Sequence, residues 1–113
     1  MDDRASRWTF LSNHAHVMLC LVQDAEARVR DIAERVEITE RAVQRILVEL
    51  EEAGALARTR VGRRNRYTLN LDLPLRHELE SHHTVGDLLL ALADEQTKSG
   101  RQLRDDDDGR KAG

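Results

Sequence analysis

Three side chains able to read a base edge stand at helical spacing in this chain: Arg41, Gln44 and Arg45. A guanidinium can give two parallel hydrogen bonds to guanine, and a carboxamide can exchange two with adenine. Residues three and four apart share one helix face, so these three form a base-reading set. Just ahead of them, the Thr39 hydroxyl is suited both to capping a helix and to touching a phosphate. Glu40 follows in the first turn, where a carboxylate suits the helix dipole. A second group lies further on. Arg58, Arg60, Arg63, Arg64 and Arg66 fall within residues 55–70, which contain no acid. That segment carries +5 and the residues on either side carry −4 each, so the overall charge of −3 hides a local cationic focus. Guanidinia this close repel one another unless an anion sits among them. A phosphate backbone is the polyanion that fits.

The pattern of apolar residues indicates what must position these groups. Ser12 is a plausible N-cap, and Ala15, Met18, Leu19 and Val22 recur at helical spacing over Asn13 to Gln23, with Val17 and Leu21 widening the face. Ala27, Arg28 and Val29 read as a short strand. A second helix is predicted from about Arg30 to Val36, with Ile32, Ala33 and Val36 on one side. After a joint at Glu37 and Ile38, a third helix runs from the Thr39 cap to about Ala53. Its inward stripe is Val43, Ile46, Leu47 and Leu50, and Gly54 stands where a glycine ends a helix. Residues 56–61 and 66–71 read as two strands joined by a turn over Gly62, Arg63, Arg64 and Asn65. Residues 75–81 are ambiguous. Thr84 and Asp87 have capping-box spacing at the head of a fourth helix ending near Lys98, striped by Val85, Leu88, Leu89, Leu92 and Ala93.

The expected fold is therefore mainly α with a small β-hairpin: a three-helix core plus wing, with an added C-terminal helix. The expected organisation is an N-terminal arm over residues 1–10, a helix–turn–helix with its wing over 11–73, a C-terminal helical segment over 74–98, and a disordered acidic tail over 99–113 that includes Asp105–Asp108. A chain of 113 residues with only Trp8, Phe10 and Tyr67 as aromatics has a modest core, so association that buries more apolar surface would stabilise it. The stripe of Val85, Leu88, Leu89 and Leu92 is the candidate surface for a homodimer. Trp8, Phe10 and Leu11 are expected to anchor the arm.

Composition narrows the function classes. One cysteine, Cys20, rules out an internal disulfide and favours a reducing, cytoplasmic setting, here nucleoid-associated. No signal peptide is visible, and the longest early apolar run, Val17 to Val22, is too short to span a membrane. Of the 18 basic residues 16 are arginine, a bias that points to a GC-rich bacterial genome. A Gly-rich phosphate loop, a nucleophile elbow, paired cysteines and H-E-x-x-H are all missing, so neither enzyme chemistry nor a cofactor is expected. His77, Glu78, Glu80, His82, His83 and Asp87 fall within 11 residues, and His83 and Asp87 could share a helix face. Thr84 nevertheless starts that helix and leaves His83 outside it, so ordinary polar residues before a cap are the better reading. His14 and His16 near Cys20 are weaker still, because Cys20 lies in an apolar run and reads as core.

The run from Val29 to Thr39 resembles the first half of bacterial winged helix–turn–helix regulators. The run from Val43 to Leu56 is similar to their recognition helix and wing entry, in the pattern V-x-R-x-L-x-x-L-x-x-x-G-x-L. ArsR-like and MarR-like transcription factors are the nearest groups, and the likeness covers roughly Asn13 to Leu71. Two departures stand out: Glu37 occupies a joint where glycine is common, and the cysteine pair of ArsR-like metal sensors is missing. The resemblance implies a homodimeric transcriptional regulator, most simply a repressor. The third helix of each subunit would enter the major groove of double-stranded DNA, and the wing arginines would meet the backbone or minor groove. A small-molecule effector lodged between the first and fourth helices is compatible with it. The alternative is a winged helix that binds an acidic protein partner through the same arginines.

Overall fold

The computed structural model describes the backbone of residues 8–101 and the side chains of residues 8–93. In chain order the elements are α1 (Asn13–Gln23), α2 (Val29–Val36), α3 (Glu40–Glu52), β1 (Leu56–Val61), β2 (Arg64–Leu69) and α4 (Val85–Arg101). The predicted fold class is the one observed. A first compact unit ends at Asn70 and a second begins at Leu71.

In the first unit α1, α2 and α3 pack pairwise, with β2 against α1 and β1 against α3. Ser12 caps α1 by accepting the Ala15 N–H at 3.3 Å. The buried face of α1 is Val17, Met18, Cys20 and Leu21. This is a rotation from the predicted stripe, because α1 is apolar nearly all round and spacing alone did not settle its roll. Leu19 and Val22 are half-buried, and burial pushes the Cys20 thiol up, outweighing the opposing charge of Arg35. Trp8 and Phe10, expected as anchors, are exposed and meet edge-to-face at 4.7 Å.

Residues 27–29 are not a strand. Helix α2 begins at Val29, and Ala25 and Glu26 form a turn. The sheet-like contact falls two residues earlier, where the Ala25 carbonyl accepts the Tyr67 N–H at 2.9 Å. Ile32 and Ala33 of α2 are buried. At the joint Glu37 adopts the left-handed region, φ 68° and ψ 44°, and both Glu37 and Ile38 donate their N–H to the Ala33 carbonyl, at 2.8 and 3.1 Å. Thr39 caps α3 by accepting the Ala42 N–H at 3.0 Å, and the buried stripe is Val43, Ile46, Leu47 and Leu50 as expected. The helix ends in a Schellman motif. Gly54 (φ 81°) donates to Glu51 O at 3.1 Å, and Ala55 donates to Leu50 O at 2.9 Å.

The hairpin is tighter than predicted. Pairing runs from Leu56–Leu69 to Val61–Arg64, which leaves only Gly62 and Arg63 in the turn. Gly62 has φ 64° and Arg63 does not have positive φ, the sign pattern of a type II′ turn with glycine first. Arg64 and Asn65 are thus strand residues, and β2 spans 64–69 rather than 66–71.

In the second unit, residues 75–81 form turns. Pro74 bridges to Thr84, Leu75 donates to His83 O at 2.9 Å, and Val85 donates to Leu73 O at 2.8 Å. Gly86 is required by close approach, since a Cβ there would stand 2.7 Å from the Leu71 carbonyl oxygen. The capping box at the head of α4 is formed in both directions: Thr84 N–H to Asp87 Oδ2 at 3.0 Å and Asp87 N–H to Thr84 Oγ1 at 3.1 Å. His83 joins the same carboxylate at 3.0 Å. Leu89 is fully buried and Val85 nearly so, whereas Leu88 and Leu92 are half-exposed and Leu90 is exposed. The Asp105–Asp108 run lies outside the described residues, as do residues 1–7.

Two expected outcomes follow from these termini. At Gly54 a Cβ would meet nothing within 4 Å, so Gly54→Ala tests the backbone alone. Left-handed strain of roughly 1–2 kcal/mol, less about 0.4–1 kcal/mol returned through a stiffer unfolded chain, leaves a destabilisation of about 1 kcal/mol in denaturant unfolding. At Asp87 the Thr84 N–H, then His83, lower the carboxyl pKa below its ordinary 3.8. A depressed folded value means that the cap's contribution is complete above the ordinary value and is lost as pH falls through the folded one. The Thr84 amide proton should therefore titrate with an NMR midpoint below 3.8, and Asp87→Asn should abolish that titration.

Candidate nucleic-acid interface

With the apolar stripe of α3 turned inward, the opposite face is open. Glu40, Arg41, Gln44 and Arg45 are all exposed, and Val48 is 45% exposed on the same side. Val48, which the inward stripe of Val43, Ile46, Leu47 and Leu50 leaves out, is not among the candidates picked from sequence because a valine side chain has no hydrogen-bonding group for a base edge. Its spacing, four after Gln44 and three after Arg45, is the signal that places it on the open face. Arg45 reaches Glu49 at 3.9 Å across one turn, and Glu49 in turn accepts His14 of α1 at 2.7 Å. An exposed pair of this kind is worth about 0.2–1 kcal/mol, so Arg45 stays available to a stronger partner. The Thr39 hydroxyl oxygen is used by the cap, which leaves its proton free to donate.

The hairpin arginines are not equivalent. Cross-strand register puts Arg58 opposite Tyr67, Arg60 opposite Asn65, and Val61 opposite Arg64. Strand alternation then divides them. Arg58 and Arg60 share the face that carries the buried Leu56 and Tyr67, Arg64 and Arg66 lie on the outer face, and Arg63 is at the tip. Nor is the cluster without acid in space. Arg58 pairs with Glu51 of α3 at 3.0 Å and lies 5.9 Å from the Tyr67 ring centroid. Arg66 gives Glu26 Oε2 two hydrogen bonds, from Nη2 at 2.6 Å and Nε at 3.0 Å. Arg64 Nη1 donates to the Glu26 carbonyl at 3.2 Å, and Arg60 Nε to the Gly62 carbonyl at 3.0 Å. The expectation of mutual repulsion relieved only by an external anion is corrected accordingly. Two of the five have intramolecular carboxylates, Glu51 from just ahead of the hairpin and Glu26 from 40 residues before Arg66. Arg63 has no such partner among the described residues.

Between the hairpin and the start of α2 lies a cleft of about 480 Å³. Arg28, Arg63, Arg64 and Asn65 line it, with Tyr67 and Glu26. Arg28 is the N-cap position of α2 and makes no side-chain cap, so the first-turn amides of that helix add partial positive charge beside the arginines. Arg28 and Glu26 were both passed over in the sequence. They belong to the site because the Tyr67–Ala25 hydrogen bond and the bonds of Arg64 and Arg66 to Glu26 join their turn to the hairpin.

A family model described as the sugar-specific transcriptional regulator TrmB matches residues 10–70. No curated protein matches the chain. Among solved structures, a MarR family transcription regulator is 20% identical with a TM-score of 0.47, covering 80% of this chain and 56% of its own. A MarR family protein of Mycobacterium tuberculosis in complex with salicylic acid is 24% identical with a TM-score of 0.47, covering 80% of this chain and 65% of its own. This chain thus spans less than two thirds of either MarR-family structure. IscR of T. potens is 14% identical with a TM-score of 0.52, covering 89% of this chain and 96% of its own, a likeness of fold. The matched segment runs from Phe10 to Asn70, through the three helices and the whole hairpin, and on that basis the chain belongs to the family of TrmB sugar-specific transcriptional regulators.

Proposed function

We propose that the chain binds double-stranded DNA sequence-specifically and regulates transcription as a homodimer, most simply as a repressor that occludes a promoter. The observation that carries this reading is the open face of α3, on which Arg41, Gln44, Arg45 and Val48 project together while the opposite stripe is buried. In the major groove Arg41 and Arg45 pair with guanine, Gln44 with adenine, Glu40 accepts from cytosine, and Val48 meets a thymine methyl. Thr39 donates to a phosphate. The hairpin lies on the backbone or in the minor groove with Arg63 foremost, Arg60 and Arg64 beside it, and Arg58 and Arg66 at its base. Arg28 adds a phosphate contact from the cleft.

Two half-sites about one DNA turn apart call for two copies. Val85 and Leu89 are already buried within one chain and serve as the backing of α4. Leu88 and Leu92, one turn apart on the same flank of the helix, supply the apolar surface for the partner copy.

Arg45→Ala should weaken binding to a selected operator by about 1–3 kcal/mol and relax base preference at one position. Arg63→Ala should weaken binding to all sequences alike and reduce the slope of log affinity against log salt by about 0.9. Fragment selection from a genomic library followed by salt-titrated shift assays measures both; a helix substitution that leaves base preference intact would refute the α3 assignment. Leu92→Glu should give monomers in sedimentation velocity. A wild-type chain that is already monomeric at micromolar concentration would refute the dimer.

A further inference from the structure

We infer that Glu26 is a positioning residue for DNA binding, holding the guanidinia of Arg64 and Arg66 side by side before the phosphate backbone arrives. The inference rests on the proposed DNA-binding reading and extends it to a residue of opposite charge. Glu26 collects both arginines at once: its carboxylate takes Arg66 through two N–H groups, and its carbonyl takes Arg64. These arginines are two apart on one strand and therefore project from the same face. The residue that gathers them is itself fixed. Its N–H donates to Asp24 Oδ1 at 3.0 Å, the Ala27 N–H closes the turn on Asp24 O at 3.1 Å, and the neighbouring Ala25 carbonyl accepts the Tyr67 N–H. Neither guanidinium is exhausted by these bonds. Arg64 uses only one of its nitrogens here and Arg66 keeps Nη1, so both retain donors for phosphate oxygens.

Two opposing effects decide what the carboxylate does to affinity. Its repulsion of a phosphate about 7 Å away in screened water changes a dissociation constant by less than about twofold. Immobilising a free arginine on binding weakens affinity by roughly two- to tenfold per side chain, a loss avoided where the side chain is already held. Positioning therefore outweighs repulsion, and removing a negative charge from the face that meets a polyanion should weaken binding.

The test is a salt titration of the full chain and its variants on a mixed-sequence 20-base-pair duplex, a length of roughly two helical turns. Glu26→Ala frees Arg66 while the main-chain carbonyl still holds Arg64, so it should raise the dissociation constant roughly two- to tenfold with the salt slope unchanged, because the same phosphates are still engaged at the end. Glu26→Gln keeps an acceptor oxygen for Arg66 and should recover part of the loss. Exchange protection of the Tyr67 amide should be the same in all three proteins. Tighter binding or a steeper slope in Glu26→Ala would mean that Glu26 merely withholds charge, and would overturn the inference. A shallower slope with loss of Tyr67 protection would make Glu26 a structural support only, and would overturn it equally. Failure of the wild-type chain to bind the duplex would instead remove the DNA-binding reading itself.

Discussion

The roll of α3 about its own axis is the constraint on which the rest of the first unit depends. Val43, Ile46, Leu47 and Leu50 are buried together, and each such side chain contributes roughly 1.5–3 kcal/mol when removed from water. The exposed pair of Arg45 and Glu49 contributes a fraction of one such burial. Core packing therefore sets which face of α3 is open, and the polar residues on that face are free to be chosen for a partner. The Schellman end at Gly54 carries the same constraint into the hairpin. It satisfies the last carbonyls and turns the chain so that Ala55 and Leu56 bury beside Leu50.

Charge on the hairpin is arranged rather than only accumulated. Glu51 comes from the far end of α3 and meets Arg58, which is partly covered and lies beside Tyr67. Glu26 comes from the turn after α1 and meets Arg66. Both pairs sit at the base of the ribbon, where Tyr67 is buried, and the guanidinium without a partner among the described residues is Arg63 at the tip. A gradient of compensation along the hairpin leaves the strongest unscreened field at the point furthest from the core. Desolvation there is least costly, and a phosphate can approach without breaking an existing pair.

How much of this was legible in the sequence depended on whether the signal was local. The three helices, the Thr39 and Ser12 caps, the Gly54 terminus and the Thr84–Asp87 box all rest on spacings of a few residues, and each was readable. The open face of α3 was readable too, because its buried stripe has one clean period. The roll of α1 was not, since apolar residues surround it. The expected turn over 62–65 is two residues longer than the observed one because Gly62–Arg63 and Gly62–Asn65 are both chemically acceptable loops, and only the cross-strand register separates them. Glu26 as an arginine partner was out of reach for a different reason: 40 residues separate it from Arg66, and no periodicity connects them. Glu51 is only seven residues from Arg58, but the two lie on different elements on either side of the Gly54 turn, so no helix or strand period pairs them.

The joint between α2 and α3 shows how such a fold tolerates a residue that local rules disfavour. Glu37 adopts a left-handed backbone at roughly 1–2 kcal/mol relative to glycine. Its N–H and that of Ile38 both donate to the Ala33 carbonyl, so the turn is closed by two bonds to one acceptor, with Ile38 half-buried beside it. Those contacts offset the strain. A side chain at this position also narrows the backbone freedom that glycine would have in the unfolded chain. The angle at which α3 leaves the joint is consequently held from both sides, by the Ala33 carbonyl before it and by the Thr39 cap after it. Arg41, two residues past that cap, inherits its position from this joint more directly than from any contact of its own.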